Sequence, residues 1–116
     1  MSNELFPMGN KDEAKERAEL APEQIEAWRN FSRTVFKKGV LDPKIKQLIA
    51  VAVGHVTQCP YCIKAHVPQA LRAGATEQEI MEAIWVAAEM RAGAGYSHSV
   101  IAYDAIKEYR ENNSEK

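Results

Sequence analysis

The two cysteines of the chain lie three positions apart, and a histidine follows the second cysteine after one helical turn. The stretch reads Cys59-Pro60-Tyr61-Cys62-Ile-Lys-Ala-His66. Two residues between cysteines leave them close enough to form a disulfide, so the pair can alternate between dithiol and disulfide. An imidazole on the same helical face as Cys62 can act as its base or stabilise its thiolate. The spacing therefore predicts a dithiol redox centre.

Pro60 places this pair at the start of a helix, because proline suits the first helical position and Cys59 then lies at or near the N-cap. Unpaired amides and the helix dipole favour an anion there, so both thiols should ionise more easily than a free cysteine. The helix end favours Cys59 as the thiolate, whereas His66 favours Cys62. The helix dipole contributes under about 1 kcal/mol at an exposed site, and a short, oriented contact with His66 should outweigh it. We therefore expect Cys62 to be the thiolate that attacks the substrate.

Composition narrows the functional class. The chain has 116 residues and a net charge of −1. This length predicts one domain that buries about two-thirds of its surface without a disulfide framework. Its basic residues are scattered singly, so we expect no nucleic-acid partner. We find no signal peptide or membrane span, and the default compartment is the cytoplasm. In the cytoplasm, a lone cysteine pair indicates catalysis or metal binding more than a permanent structural disulfide.

The hydrophobic pattern has helical spacing throughout and no segment reads as a strand. We predict an all-α fold, a compact single-domain bundle of about five to six helices. Residues 1–20 form a polar arm or short helix, 21–112 the helical domain and 113–116 a polar tail. The predicted helix starts are Pro22, Pro43 after the N-cap Asp42, Pro60, and the capping box formed by Thr76 and Glu79.

Several residues should end or interrupt these helices. Gly39 and Gly74 should close helices, and Pro68 should kink or split the helix that follows the cysteines. Gly93 and Gly95 should break the chain before a last helix from Tyr96 to about Arg110. The helix that begins at Pro43 is apolar on most sides and should be largely buried.

Cys-Pro-Tyr-Cys also occurs in glutaredoxins, but there it follows a β-strand, and here a buried helix precedes it. The span 41–99, above all 46–66 and 71–83, instead resembles the carboxymuconolactone decarboxylase and alkylhydroperoxidase D superfamily. The redox branch of that superfamily carries Cys-x-x-Cys-x-x-x-His at the start of a helix. The resemblance implies a small all-helical homo-oligomer, often a trimer or hexamer.

For activity, the resemblance implies thiol-dependent peroxidase chemistry, with hydroperoxides reduced through a Cys59/Cys62 dithiol–disulfide cycle. Cys62 matches the peroxide-attacking cysteine, Cys59 the resolving one and His66 a histidine of the proton relay. An external dithiol, a protein reductant or an adaptor protein would restore the dithiol, and no cofactor is expected. The decarboxylase branch generally lacks the paired cysteines.

One position departs from the alkylhydroperoxidase D pattern. A glutamate of the relay lies twelve residues before the first cysteine, and Gln47 occupies that position here. Glutamine cannot take a proton at neutral pH. We predict that Glu89, within an apolar segment, is a buried replacement carboxylate with a raised pKa. The alternative is that Glu89 lies on a solvated stripe with Gln78 and Glu82.

Other assignments stay open. His55 and His98 are further candidates for the site, although each is also consistent with a structural role. A tetrahedral zinc site from both cysteines, His66 and one more histidine is an alternative. Two further alternatives for the function are a carboxymuconolactone decarboxylase-like lyase and an interaction module on the same fold. Trp28 and Trp85 are expected to be core or interface aromatics.

Overall fold

The computed structural model describes residues 5–114. Residues 1–4 of the predicted arm and 115–116 of the predicted tail lie outside the described part. Six α-helices follow one another, and they are α1 (Lys11–Leu20), α2 (Pro22–Phe36), α3 (Pro43–Val56), α4 (Pro60–Arg72), α5 (Glu77–Ser97) and α6 (Ser99–Ser114). The described residues contain no strand, so the all-α prediction is confirmed. None of these helices has the length and apolar character needed to cross a membrane.

The helices begin where predicted, at Pro22, Pro43 and Pro60 and after the N-cap Thr76, and side-chain hydrogen bonds cap the starts of α3 and α5. The Asp42 side chain accepts from the Ile45 amide at 3.0 Å. Thr76 and Glu79 form a reciprocal capping box, in which each side chain accepts from the other residue's backbone N–H. These caps satisfy amide groups that the first helical turn leaves unpaired.

The predicted break at Gly93 and Gly95 is wrong, and Pro68 does not split its helix. Helix α5 runs through Gly93 and Gly95 to Ser97, and the break falls at His98. Neither glycine adopts a positive φ, whereas Gly74, which does close α4, has a φ of +99°. Glycine inside a helix costs only about 0.5–1 kcal/mol relative to alanine, so flanking alanines can carry the helix through. Helix α4 is continuous from Pro60 to Arg72, across Pro68.

Helix α3 is the centre of the fold and packs against both α4 and α5. The core between these helices contains Val51, Ala70, Ala75 and Ile80. Lys44 and Glu79 form an ion pair of 2.8 Å that joins the starts of α3 and α5. The packing of α3 against α4 and α5 positions the cysteine motif that follows α3.

The single chain is elongated. Its radius of gyration is 21.1 Å, against about 13 Å for a compact chain of this length. It exposes 9682 Å², against about 6,300 Å² for a compact chain. The chain alone therefore does not reach the compactness and the two-thirds burial that its length predicts.

Helices α3 and α5 are less buried than their sequences predict. Their outer faces expose large apolar side chains, among them Ile49, Val53, Trp85, Val86 and Met90. Trp28 is 60% and Trp85 70% exposed, so neither is a core residue of the single chain. Among the described helices, α6 packs only against α5, and its apolar side chains are left uncovered, including Tyr103, Ile106 and Tyr109.

Candidate active site

The cysteine motif lies where α3 turns into α4. Gln58 makes this turn with a left-handed φ of 57°, and the Cys59 amide donates to the Gly54 carbonyl at 2.9 Å. A methyl group on Gly54 would lie 3.2 Å from Cβ of Cys62. The missing side chain at Gly54 therefore allows the start of α4 to approach α3 closely.

Cys59 is the N-cap of α4, as predicted, and its sulfur accepts from the Cys62 amide at 3.1 Å. Cys59 and Cys62 are joined in a disulfide, with their Cα atoms 5.3 Å apart. Both residues are partly buried. The structure thus shows that the pair can close into a disulfide within the first turn of α4.

An apolar groove of about 450 Å³ opens beside Cys62 and His66. One side is a single face of α3, which carries Lys46, Ile49, Ala50, Val53, Gly54 and Thr57, and the other side is formed by Val35, Phe36 and Leu41. Its volume falls in the range of small-molecule sites. Cys59 is not among the lining residues, so the groove offers a small molecule access to Cys62 of the pair.

His66 is held by two neighbours from other helices. Its ring stacks on Phe36 with centroids 5.1 Å apart and an interplanar angle of 24°. Its Nδ1 lies 2.8 Å from Oε1 of the buried Gln47. An amide oxygen only accepts, so Nδ1 carries the proton and Nε2 has a free lone pair in the neutral ring. Burial lowers the pKa of His66 below its usual 6.5, which favours this neutral, basic form at pH 7.

Gln47→Glu should raise the pKa of His66. A carboxylate opposite the Nδ1–H stabilises the imidazolium, and an opposite charge at this distance raises a histidine pKa by about 1 to 3. An NMR titration of the disulfide form measures this value directly. Gln78→Glu is the matched control, because it adds the same charge on the exposed stripe of α5 and Gln78 shows no contact with His66 among the described hydrogen bonds. An unchanged His66 pKa in Gln47→Glu would show that the two side chains do not interact in solution.

The prediction that Glu89 is buried is wrong for the single chain. Glu89 is exposed on α5, on the narrow polar stripe of that helix with Gln78 and Glu82, both also exposed. No hydrogen bond or ion pair among the described residues connects it to the cysteines or His66. The apolar residues around Glu89 misled the prediction, because they face away from the core of the single chain. Gln47 is instead the buried polar partner of His66.

The other histidines lie outside the groove. His55 Nδ1 bonds the Val51 carbonyl of its own helix at 2.7 Å, the arrangement of a structural histidine. His98 is exposed at the C-terminal cap of α5. Within residues 5–114, no three His, Cys, Asp or Glu side chains gather closely enough to hold a metal ion. The zinc alternative therefore has no geometric support in this part of the chain.

Three site residues were missed by sequence reasoning. Phe36 contacts His66 only because α2 and α4 meet in the fold, and no local signal indicates this. Gln69 bonds Gln47 across the α3–α4 interface. Gly54 could have been found, because it shares the buried face of α3 with Gln47 and Val51 at helical spacing.

Residues 22–105 match the family model described as the carboxymuconolactone decarboxylase family. The chain is also similar to an uncharacterised protein encoded in the cox locus of Paracoccus denitrificans. The two are 59% identical over 83 residues, which cover 72% of this chain and 75% of the relative. Residues 22–105, which the family model matches, contain the whole groove and the cysteine motif.

Two solved structures have a similar fold. A carboxymuconolactone decarboxylase family protein from Legionella pneumophila is 28% identical with a TM-score of 0.66, covering 84% of this chain and 88% of that one. A family member from Thermotoga maritima, whose description suggests a part in the antioxidative response, is 27% identical with a TM-score of 0.56. That match covers 80% of this chain and 96% of the other.

Proposed function

The chain belongs to the carboxymuconolactone decarboxylase family, and we propose that it is a thiol-dependent peroxidase that reduces organic hydroperoxides. The observation that carries the proposal is the apolar groove with Cys62 and His66 in its lining. An apolar organic substrate can bind there with its peroxide group beside a cysteine and a base. The suggested antioxidative part of the Thermotoga maritima relative is consistent with this function.

The proposed cycle uses residues of this chain and an external dithiol. The Cys62 thiolate attacks one peroxide oxygen, the O–O bond breaks, and the alkoxide leaves as an alcohol after taking a proton. Cys62 becomes a sulfenic acid, which the Cys59 thiol converts to the disulfide with release of water. Two electrons and two protons from a dithiol or a protein reductant then restore both thiols. The cycle requires a reducing compartment such as the cytoplasm.

His66 is the proposed proton carrier. Its neutral Nε2 accepts the proton of the Cys62 thiol, and the imidazolium can return that proton to the departing alkoxide. Gln47 is a positioning residue, because its carbonyl oxygen fixes the tautomer that leaves Nε2 basic. Unlike a glutamate at this position, Gln47 adds no negative charge that would raise the pKa of His66.

Consumption of cumene hydroperoxide under excess dithiothreitol tests the proposal. We expect turnover that saturates with hydroperoxide and exceeds the uncatalysed reaction of the dithiol. A chain in which both cysteines are serine is the control. A lyase would act on a lactone substrate without thiols, so lactone decarboxylation that survives in this double variant would favour the lyase alternative.

We also propose that the protein is a homo-oligomer. The excess of exposed surface over a compact chain is about 3,400 Å², and the uncovered faces of α5 and α6 are rich in large apolar residues. Monomeric proteins rarely leave apolar patches of this extent in water. A closed, symmetric assembly would bury the same faces on every copy.

Light scattering at micromolar concentration should therefore give a multiple of the chain mass. Ile106→Glu places a charge in the apolar stripe of α6 and should lower the mass, because a buried unpaired charge destabilises an interface by several kcal/mol. Glu108→Lys changes a charge about 160° around α6 from Ile106, on its polar face, and should leave the mass unchanged. Circular dichroism confirms that both variants keep their helices. A monodisperse monomer of the unmodified chain would contradict the proposal.

A further inference from the structure

The groove beside Cys62 is apolar along its length and carries one charge. Its lining contains neutral side chains apart from Lys46, since burial keeps His66 in its neutral form. Among the described residues, no carboxylate forms an ion pair with Lys46. An apolar channel with one unpaired cation is complementary to a ligand that has an apolar body and a single negative group.

Lys46 is held in a fixed position at this groove. Its Nζ donates to the Val35 carbonyl at 2.7 Å and to the Lys37 carbonyl at 2.6 Å, so it caps the C-terminal end of α2. An ammonium group has three N–H donors, and these two bonds leave the third available to a ligand. A preorganised ammonium loses less conformational entropy on binding than a free lysine would.

Lys46 lies at one end of the groove face of α3, and Cys62 of α4 lies against the other end. Lys46 precedes Gly54 by eight residues, which is about 12 Å along a helix axis. Gly54 in turn is the residue that α4 approaches at Cys62. A substrate that contacts both ends therefore has its negative group and its peroxide separated by a chain of medium length.

We propose that the groove selects hydroperoxides of fatty acids, with the substrate carboxylate bound by Lys46 and the peroxide beside Cys62. This inference rests on the proposed peroxidase function and adds the substrate class to it. The carboxylate takes no part in the chemistry and leaves unchanged in the hydroxy acid product. Its contact with Lys46 positions the peroxide oxygen for attack.

The test compares a linoleic acid hydroperoxide with its methyl ester, measured as kcat/KM under excess dithiothreitol. The unmodified protein should favour the acid by about tenfold, the scale of one charge-assisted hydrogen bond. Lys46→Met keeps the apolar stem and should remove this preference, which is measured as the ratio of kcat/KM for the acid to kcat/KM for the ester. Lys46→Arg keeps a cation and should retain the preference. Equal kcat/KM for acid and ester in the unmodified protein overturns the inference.

Lys46→Met also loses both hydrogen bonds to the end of α2, so it can disturb the groove itself. A second measurement therefore tests carboxylate binding without any variant. Decanoate and decanol are compared as ligands of the unmodified protein by calorimetry, at low and at high salt. We expect decanoate to bind about tenfold more tightly at low salt, with the difference shrinking as salt screens the ammonium. Equal affinities overturn the inference.

The two proposals can fail separately. Turnover of cumene hydroperoxide and of the ester, without preference for the acid, overturns the carboxylate assignment and leaves the peroxidase intact. Absence of turnover with every hydroperoxide overturns the peroxidase. Tight decanoate binding would in that case still identify the groove as a site for anionic amphiphiles.

Discussion

Cys62→Ser should lower hydroperoxide turnover by on the order of 10³-fold or more, the scale seen when a catalytic nucleophile is removed. Cys62 is the cysteine that lines the groove, so its loss removes the nucleophile at the point where a substrate binds. Steady-state consumption of cumene hydroperoxide under excess dithiothreitol measures the loss. A serine at this position changes one atom and should leave the fold intact.

Cys59→Ser is the matched control and should behave differently. Its Cys62 can still attack one equivalent of hydroperoxide, so a rapid single turnover should survive. The sulfenic acid that forms has no resolving thiol within the chain and can be trapped with dimedone. If Cys62→Ser retains turnover while Cys59→Ser loses it, the assigned roles of the two cysteines are reversed.

His66→Asn should lower kcat/KM by about 10²- to 10⁴-fold at neutral pH, the contribution expected of a general base. Asparagine can keep a donor towards Gln47 but cannot accept a proton. The deficit should shrink as the pH rises, because hydroxide then ionises Cys62 without a base. In the unmodified protein, the acid limb that reflects His66 should fall below pH 6.5, since burial lowers its pKa.

Phe36→Leu separates the basicity of His66 from its packing. It removes the aromatic stack on the imidazole but keeps the base and its bond to Gln47, so kcat/KM should change far less than in His66→Asn. Equal losses in the two variants would mean that His66 serves to hold α2 against α4. A His66→Asn profile that matches the unmodified protein at all pH values would exclude the proton-carrying role.

Features fixed within one helical turn could be predicted from the sequence. Asp42 before Pro43, Thr76 with Glu79, and Cys59 before Pro60 each satisfy backbone amides locally, so no knowledge of the fold was needed. The spacing of Cys62 and His66 on one helical face was predictable for the same reason.

Features that depend on packing between distant segments could not be predicted. The apolar pattern around Glu89 indicates burial, but the pattern does not state whether the same chain or another copy covers that face. The groove depends on how the end of α2 meets α3 and α4, and Phe36 shows no local signal for it. Gln47 was recognised as a departure, yet its bond to His66 appears only in the folded chain.

A single turnover of the fully reduced protein tests the proposed dithiol cycle most directly. One equivalent of cumene hydroperoxide is added without external thiol and without oxygen, and the alcohol and the remaining thiols are then counted. The cycle should give one alcohol per chain, with both cysteines converted to the Cys59–Cys62 disulfide. Unconsumed hydroperoxide with both thiols intact would contradict the proposed cycle.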